Sequence, residues 1–282
     1  MTPSDGAPRM HEAIPVPPEG AATRTLADGR SDLLVREEPL LLVVHDQQLL
    51  TMRTPGRDQD LALGFLLGEG IVARADDVLG SDFVAGDPEA RTADELRLSL
   101  RTSPGPQQRS RLARTHEIRS SCGVCGLADV GSMLDELPPL LPGVPKLTHA
   151  RIGALLAALA ARQQLFAATG GCHGALLAEA HDGGEVLGAG EDVGRHNALD
   201  QALGEAARRG ADFARCIAVL SGRAGYDLVV KCLRVRVPVI VSVSAPSALA
   251  FDLCHAAGAT LLGFARGERH QVYCGAERFT DG

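Results

Sequence analysis

The sequence of 282 residues predicts an α/β protein of two lobes. Three observations carry that reading. Beyond residue 141, strand-like apolar runs alternate with helix-like stretches, the pattern of a mixed sheet layered with helices. Val239-Ile-Val-Ser-Val243 is a nearly unbroken β-branched run, as for a strand buried on both faces. Leu137 to Pro145 is Pro-rich and reads as a hinge. The expected division is a disordered tail over 1–30, a smaller α+β lobe over 31–140 and an α/β domain over 141–282.

The tail expectation rests on Pro, Gly, Thr and Ala without periodicity. Glu38 to His45 and Gln48 to Met52 read as two strands joined at Asp46-Gln47. Asp60 to Glu69 carries Leu63, Phe65, Leu66 and Leu67 on a broad apolar face, and Gly70 ends that helix. Residues 71–86 give mixed signals, whereas Glu95-Leu-Arg-Leu-Ser-Leu100 alternates as a half-buried strand. Thr102 to Arg111 reads as a surface loop. Thr148 caps an Ala- and Leu-rich helix that runs to Phe166, with Gly170-Gly171 beyond its end. Strands then follow at His173 to Glu179, Cys216 to Leu220 and Thr260 to Ala265. Helices are expected at Arg195 to Arg209, Tyr226 to Val235 and Ser247 to Ala257, the last opened by Pro246.

Composition excludes several classes. The formal charge is −7, and only Lys146 and Lys231 among the 28 basic residues are lysines. Net acidity argues against binding a nucleic-acid backbone, and 3% aromatics leave little for base stacking. It leaves room for a local arginine pocket that takes a phosphate. No apolar run reaches a membrane span and the first thirty residues lack a signal-like core, so a cytoplasmic location is expected. Seven cysteines, an odd number in a reducing compartment, fit a disulfide framework poorly. Cys216, Cys232 and Cys254 sit inside apolar patterns and read as small core residues.

Chemistry concentrates in a few motifs. Cys122-Gly-Val-Cys125, flanked by Ser121 and Gly126, places two thiols among small residues whose N–H groups can stabilise a thiolate. It is compatible with half of a zinc site, a disulfide redox pair, or a nucleophile that carries a persulfide. Thr169-Gly-Gly-Cys-His-Gly174 lets a ligand approach the backbone, with His173 as an acid–base group or phosphate contact. Glu191 to Asp200 packs Asp192, Arg195, His196 and Asn197 at a helix start beside a strand end, where ligands collect in α/β folds. Ser221-Gly222-Arg223, Ser242 to Ser247 and Gly263 to Arg269 repeat that placement. The set points to a large phosphorylated ligand crossing the end of a sheet.

Thr51 to Gly56, Leu61 to Gly70, Ser121 to Gly126, Glu191 to Asp200, Leu220 to Arg223 and Ser244 to Pro246 together resemble the FdhD family, from about Glu37 to Phe279. These are accessory sulfur-carrier proteins of formate dehydrogenase. The resemblance implies a sulfurtransferase that accepts persulfide sulfur from a cysteine desulfurase. It would pass the sulfur to the bis-molybdopterin guanine dinucleotide form of the molybdenum cofactor, before that enters the formate dehydrogenase apoenzyme. It also implies a homodimer and a cytidine-deaminase-like main domain that binds the cofactor, with no structural metal, nucleic acid or membrane involved. Cys122 becomes the expected persulfide carrier and Cys125 its partner. Phe264, Ala265, Arg266, Gly267, Glu268 and Arg269 match the cofactor-binding stretch. His173, Asp192, Arg195, His196, Asn197 and Arg223 are added to the cofactor site on chemistry and placement.

The deaminase zinc pattern is absent, since His116-Glu117 has the wrong spacing and Ser121 stands where Pro is needed. Cys172 beside His173 departs from the family pattern and adds a thiol near the proposed site. A zinc-stabilised binding module and a thiol–disulfide oxidoreductase are the alternative readings. Sulfur transfer to such a cofactor predicts a local positive funnel on an acidic protein.

Overall fold

The computed structural model describes residues 17–87, 89–90, 92–112 and 134–280, with the backbone alone at 113–114. Described residues form three sheets. A hairpin pairs β1 (Ala21–Thr25) with β2 (Ser31–Val35). A four-stranded sheet has the order β4 (Gln47–Arg53), β3 (Glu38–Val44), β6 (Asp94–Leu100), β5 (Val78–Val84). A six-stranded sheet has the order β12 (Arg269–Cys274), β11 (Thr260–Arg266), β10 (Val239–Ser242), β9 (Cys216–Leu220), β7 (His173–Glu179), β8 (Val186–Asp192). Strands β9, β10 and β11 are parallel, and β7, β8 and β12 run against their neighbours.

The six-stranded sheet is covered on both faces. Leu177, Ala218, Leu220 and Ile240 meet three helices, α5 (Arg195–Arg208), α6 (Tyr226–Arg234) and α7 (Ala248–Ala256). Leu176, Ile217, Val219 and Val241 point the other way, onto Ile152, Leu155 and Leu159 of α3 (His149–Arg162). Successive side chains of a strand alternate faces, so double coverage is why these strands read as unbroken apolar runs. The four-stranded sheet buries Leu40, Leu42, Leu96 and Leu98 against α1 (Asp58–Gly68).

Helix α1 is buried nearly all round because its second face lies on α5. A Cβ on Gly64 would fall 1.7 Å from the Asp200 carbonyl oxygen, and one on Gly204 would fall 2.0 Å from that of Asp60. The contact is therefore main chain on main chain. Alongside it Lys231 of α6 donates to both carboxylate oxygens of Asp200 at 2.8 Å and lies 3.2 Å from Glu69. Burial alone would cost both charges heavily; the pairing holds the Lys231 ammonium above its usual range. Arg53, also buried, gathers Asp58, Asp94 and Glu38 at 2.8, 2.6 and 3.4 Å, tying β4 to the start of α1, to β6 and to β3.

Three sequence expectations need correction. The stretch expected as tail contains β1, and its Asp28-Gly29 turn, with Gly29 at φ 82°, carries the chain into β2. The expected loop over 102–111 holds α2 (Pro106–Arg114), which begins on Pro106 and buries Leu112. The long helix after Thr148 breaks at Gln163 (φ −82°, ψ 61°), giving α3 and a short α4 (Gln164–Thr169) closed by Gly170 at φ 65°. The Pro-rich stretch near 137–145 is tied to the C-terminal end, where buried Arg278 donates to the carbonyls of Val144 and Leu141 at 3.1 and 3.3 Å.

The backbone contact makes a sharp stability prediction. Gly64→Ala and Gly204→Ala should each cost about 3 kcal/mol or more in urea unfolding. Gly80→Ala, on β5 with nothing within 4 Å of its Cβ direction, should stay within about 0.5 kcal/mol of wild type. Equal midpoints for all three variants would contradict the tight crossing.

Candidate functional site

One edge of the six-stranded sheet collects most of the expected site residues. Parallel β9, β10 and β11 end there; β7 is antiparallel to β9 and so begins there, and β8 ends beside it. His173 opens β7 opposite Asp192, which closes β8. Ser221, Gly222 and Arg223 leave β9, and Ser242 to Ser244 leave β10. The loops are laced together. Gly174 donates its N–H to Ser221 Oγ at 2.8 Å, Ser242 Oγ donates to the Gly222 carbonyl at 2.7 Å, and Phe264 donates its N–H to the Ser244 carbonyl at 3.1 Å. A Cβ on Gly222 would come within 3.4 Å of His173 Nδ1, so the glycine makes room for the imidazole.

The Asp192–Asn197 turn divides in two. Asp192 and Asn197 face inward. Asp192 Oδ2 accepts from Thr54 N–H at 2.9 Å and Gln201 Nε2 at 3.1 Å; Oδ1 accepts from Gly194 N–H at 2.8 Å and Asn197 Nδ2 at 3.0 Å. Asn197 Nδ2 also donates to the Met52 carbonyl at 2.7 Å. These bonds clamp the end of β4 to the start of α5, and burial pushes the Asp192 carboxyl up to about 6. Arg195 and His196 stay partly exposed, with His196 Nε2 3.5 Å from Asp227 Oδ2 at the start of α6. Asp227 is a partner that sequence reading missed; an acid in a helix's first turn is too common a signal to single out.

Arg195, His196 and Arg223 stand around His173. Burial, then the charges of Arg195, His196 and Arg223, press the His173 imidazole below its usual range. A neutral imidazole there can accept a proton or a hydrogen bond, while the guanidiniums attract anionic groups.

The stretch from Phe264 to Arg269 spans a bulge and a turn. Pairing of β11 with β12 shifts between Gly263 and Arg266, and Phe264 takes φ 50° with 54% of its surface exposed. Ala265 is buried in the sheet's α3-side core, so its side chain faces away from the rim. Arg266 is spent partly on the carbonyls of Val243 and Ala265. Gly267 and Glu268 form the turn, Arg269 opens β12 opposite Arg266, and Gly267 and Glu268 pack on Gly153 of α3. Arg266 and Phe264 therefore join the rim through the β10 loop, whereas the tip of the turn lies toward α3.

Cys122 and Cys125 lie outside the described residues. Their flanks return to one place: Arg111 of α2 and Glu136 form an ion pair at 3.0 Å, and Arg111 Nη1 reaches the carbonyl of Glu69 at 3.4 Å. Arg234, at the end of α6, donates to the neighbouring Gly68 carbonyl at 2.7 Å. Cys172 is buried, its Sγ 3.5 Å from Glu191 Oε1, a carboxylate that also accepts from Leu165 and Phe166 N–H at 2.9 Å. Burial and that carboxylate push the Cys172 thiol up to about 12. Among the described residues no group of three or more His, Cys, Asp or Glu is placed to hold a metal, and no helix is long and apolar enough to cross a membrane.

Comparison with known proteins places this geometry. A model of the FdhD/NarQ family matches residues 35–280. The chain is 43% identical over 259 residues to the sulfur carrier protein FdhD of Anaeromyxobacter dehalogenans (strain 2CP-C), covering 88% of each chain. It is 38% identical to that of Streptomyces avermitilis, covering 88% of this chain and 89% of the other. It shares its fold with the crystal structure of a formate dehydrogenase accessory protein from Desulfotalea psychrophila. The TM-score is 0.67 at 24% identity, over 92% of this chain and 97% of that one.

Two measurements check the site. The Asp192 carboxyl should titrate near pH 6 by carbon-13 NMR, against the 3.8 of an exposed aspartate. Its folded value lies above the unfolded one. Its contribution to stability is therefore fully present below pH 3.8 and lost as pH rises through about 6. Asp192→Asn should remove that slope from the unfolding free energy, and a variant curve parallel to wild type would contradict the assignment. Separately, iodoacetamide at about pH 8 should leave Cys172 unlabelled until the protein is denatured; labelling in the folded state would contradict its burial.

Proposed function

The chain belongs to the FdhD/NarQ family, and from that premise we propose that it is a sulfurtransferase of formate dehydrogenase maturation, loaded by a cysteine desulfurase and acting on a guanine-nucleotide-bearing molybdenum cofactor. The observation that carries the reading is Cys122-Gly-Val-Cys125 in a chain so close to proteins named sulfur carriers. The Cys122 thiolate attacks the outer sulfur of the desulfurase persulfide. That S–S bond breaks, and the desulfurase cysteine leaves as a thiolate. On delivery the new S–S bond breaks and its electron pair returns to Cys122; the zero-valent sulfur that leaves would become a sulfido ligand by taking two electrons from the molybdenum, which is substrate here rather than resident cofactor. Cys125 stabilises or resolves the persulfide.

The rim supports the second half of this cycle. Arg195 and Arg223 suit the pyrophosphates of the cofactor, with Arg266 beside them, and exposed Phe264 offers a face to a guanine. His173, held neutral by burial and its cationic neighbours, can take a hydrogen bond or a proton. Distance supports the first half meeting the second. Cys122 is eight residues past Arg114, and eight extended residues reach about 28 Å. The nine residues of α6, which separate the flanks of that segment from the rim, are only about 14 Å long. The six-stranded layer is read as a deaminase-like sheet whose end binds a cofactor instead of zinc. The proposal extends to a homodimer in the cytoplasm that meets the formate dehydrogenase apoenzyme.

Intact mass after incubation with a cysteine desulfurase and L-cysteine tests the loading step. Wild type and Cys172→Ser should gain about 32 Da per sulfur, reversed by dithiothreitol, and Cys122→Ala should gain nothing. No gain in wild type, with the desulfurase active on another acceptor, would sink the relay. For the rim, Arg223→Ala should weaken GDP binding by about tenfold or more in calorimetry; unchanged affinity would remove Arg223 from the site.

A further inference from the structure

Two helix starts meet beside the rim. Arg195 and His196 open α5, and Tyr226 and Asp227 open α6 just after the loop that carries Arg223. Between them His196 Nε2 lies 3.5 Å from Asp227 Oδ2. On the reading of the rim as a phosphate site, we propose that Asp227 is a positioning residue. Its carboxylate holds the His196 ring by Nε2 and leaves Nδ1 to donate to a phosphate oxygen of the ligand.

A phosphate oxygen asks for a donor. A ring that donates to a carboxylate from one nitrogen and to a phosphate from the other is an imidazolium, since the neutral ring has a single N–H. His196 stands in a poor place for that charge. It occupies the first turn of α5, whose free N–H groups disfavour a cation, and Arg195 is its neighbour. His173, at the start of β7, is held neutral by burial and by the surrounding cations, so it supplies no balancing charge. The anion has to come from a carboxylate. Asp200 lies one turn further along α5, but it is buried and both its oxygens accept from Lys231 at 2.8 Å. Asp227 is the carboxylate that reaches the ring. It sits in the first turn of α6, where the helix dipole favours an anion. Burial pushes its carboxyl up, but the His196 contact, with Arg195 and Lys231 behind it, more than reverses this and holds it below its usual range. The two side chains are 38% and 23% exposed, so the pair is partly sheltered yet open to a ligand. His196 Nδ1 makes no hydrogen bond among the described residues, which leaves it unspent.

Calorimetry with GDP on the full chain tests the assignment. Removing a negative charge beside an anion site tightens binding when only the charge matters. Positioning gives the opposite sign. Asp227→Asn, checked for an unchanged thermal midpoint, should weaken GDP binding about tenfold, and Asp227→Glu should restore most of it. In a His196→Gln background Asp227→Asn should add little, as for two residues that act through one contact. Nitrogen-15 NMR of wild type with GDP should show a proton on both His196 ring nitrogens, a readout that needs no variant. Unchanged or tighter binding in Asp227→Asn, an equal loss in both backgrounds, or a single ring N–H in the complex each overturns the inference. Where Arg223→Ala still weakens binding, such a failure leaves the phosphate site standing. Absence of GDP binding by wild type removes the phosphate site and this role of Asp227 together.

Discussion

At the crossing of α1 and α5 a main-chain carbonyl occupies the space where a methyl group would stand, at Gly64 and again at Gly204. Helix α5 is held just as closely from its other side. Cβ atoms on Gly188 and Gly190 of β8 would lie 2.1 and 2.2 Å from the carbonyl oxygens of Ala202 and Ala198. The helix is gripped between backbones, with little side chain to deform. Contacts of this kind have few alternative packings, because no rotamer change can relieve them. The start of α5 carries Arg195 and His196 to the rim and turns Asn197 toward Asp192 and the end of β4. Where the glycines set the helix, those four residues follow.

The approach also explains the buried charge. Two helices this close bring α6 and its Lys231 against Asp200 and Glu69 in a space with little water, where leaving either sign alone would be severe. Lys231 also lies 5.1 Å from the centre of the Phe65 ring. Asp192, Arg53 and Arg278 are buried in the same manner, each surrounded by several specific partners rather than one. Such groups add little net stability over apolar replacements. They do select one docking of β4 on α5, and of the C-terminal end on residues 141–145, over arrangements that leave a donor unpaired.

Much of the layered sheet was legible because periodicity reports burial directly. Val239 to Val243 is apolar on both faces since α3 and α5–α7 cover both, and Glu95 to Leu100 alternates since one face alone is covered. The hairpin at β1 was hidden by its Ala- and Thr-rich composition, although Asp28-Gly29 marked its turn. Helix α2 was hidden because Gln and Arg signal exposure more strongly than helix. Motifs located the rim, since glycine, serine and arginine recur at strand ends. They did not separate Arg195 and His196 from Asp192 and Asn197, because which way each side chain turns depends on Thr54 and Met52, some 140 residues earlier in the chain.

The Glu191 carboxylate, which caps α4 and faces Cys172, has a meaning for cargo retention. A carrier of labile sulfur must not lose it to its own thiols. Exchange proceeds through thiolates, so a thiol that keeps its proton at neutral pH is a poor acceptor. Burial and the acid beside it keep Cys172 in that condition, and burial does the same for Cys216, Cys232 and Cys254. A chain with seven cysteines is thereby insulated at four of them against internal leakage.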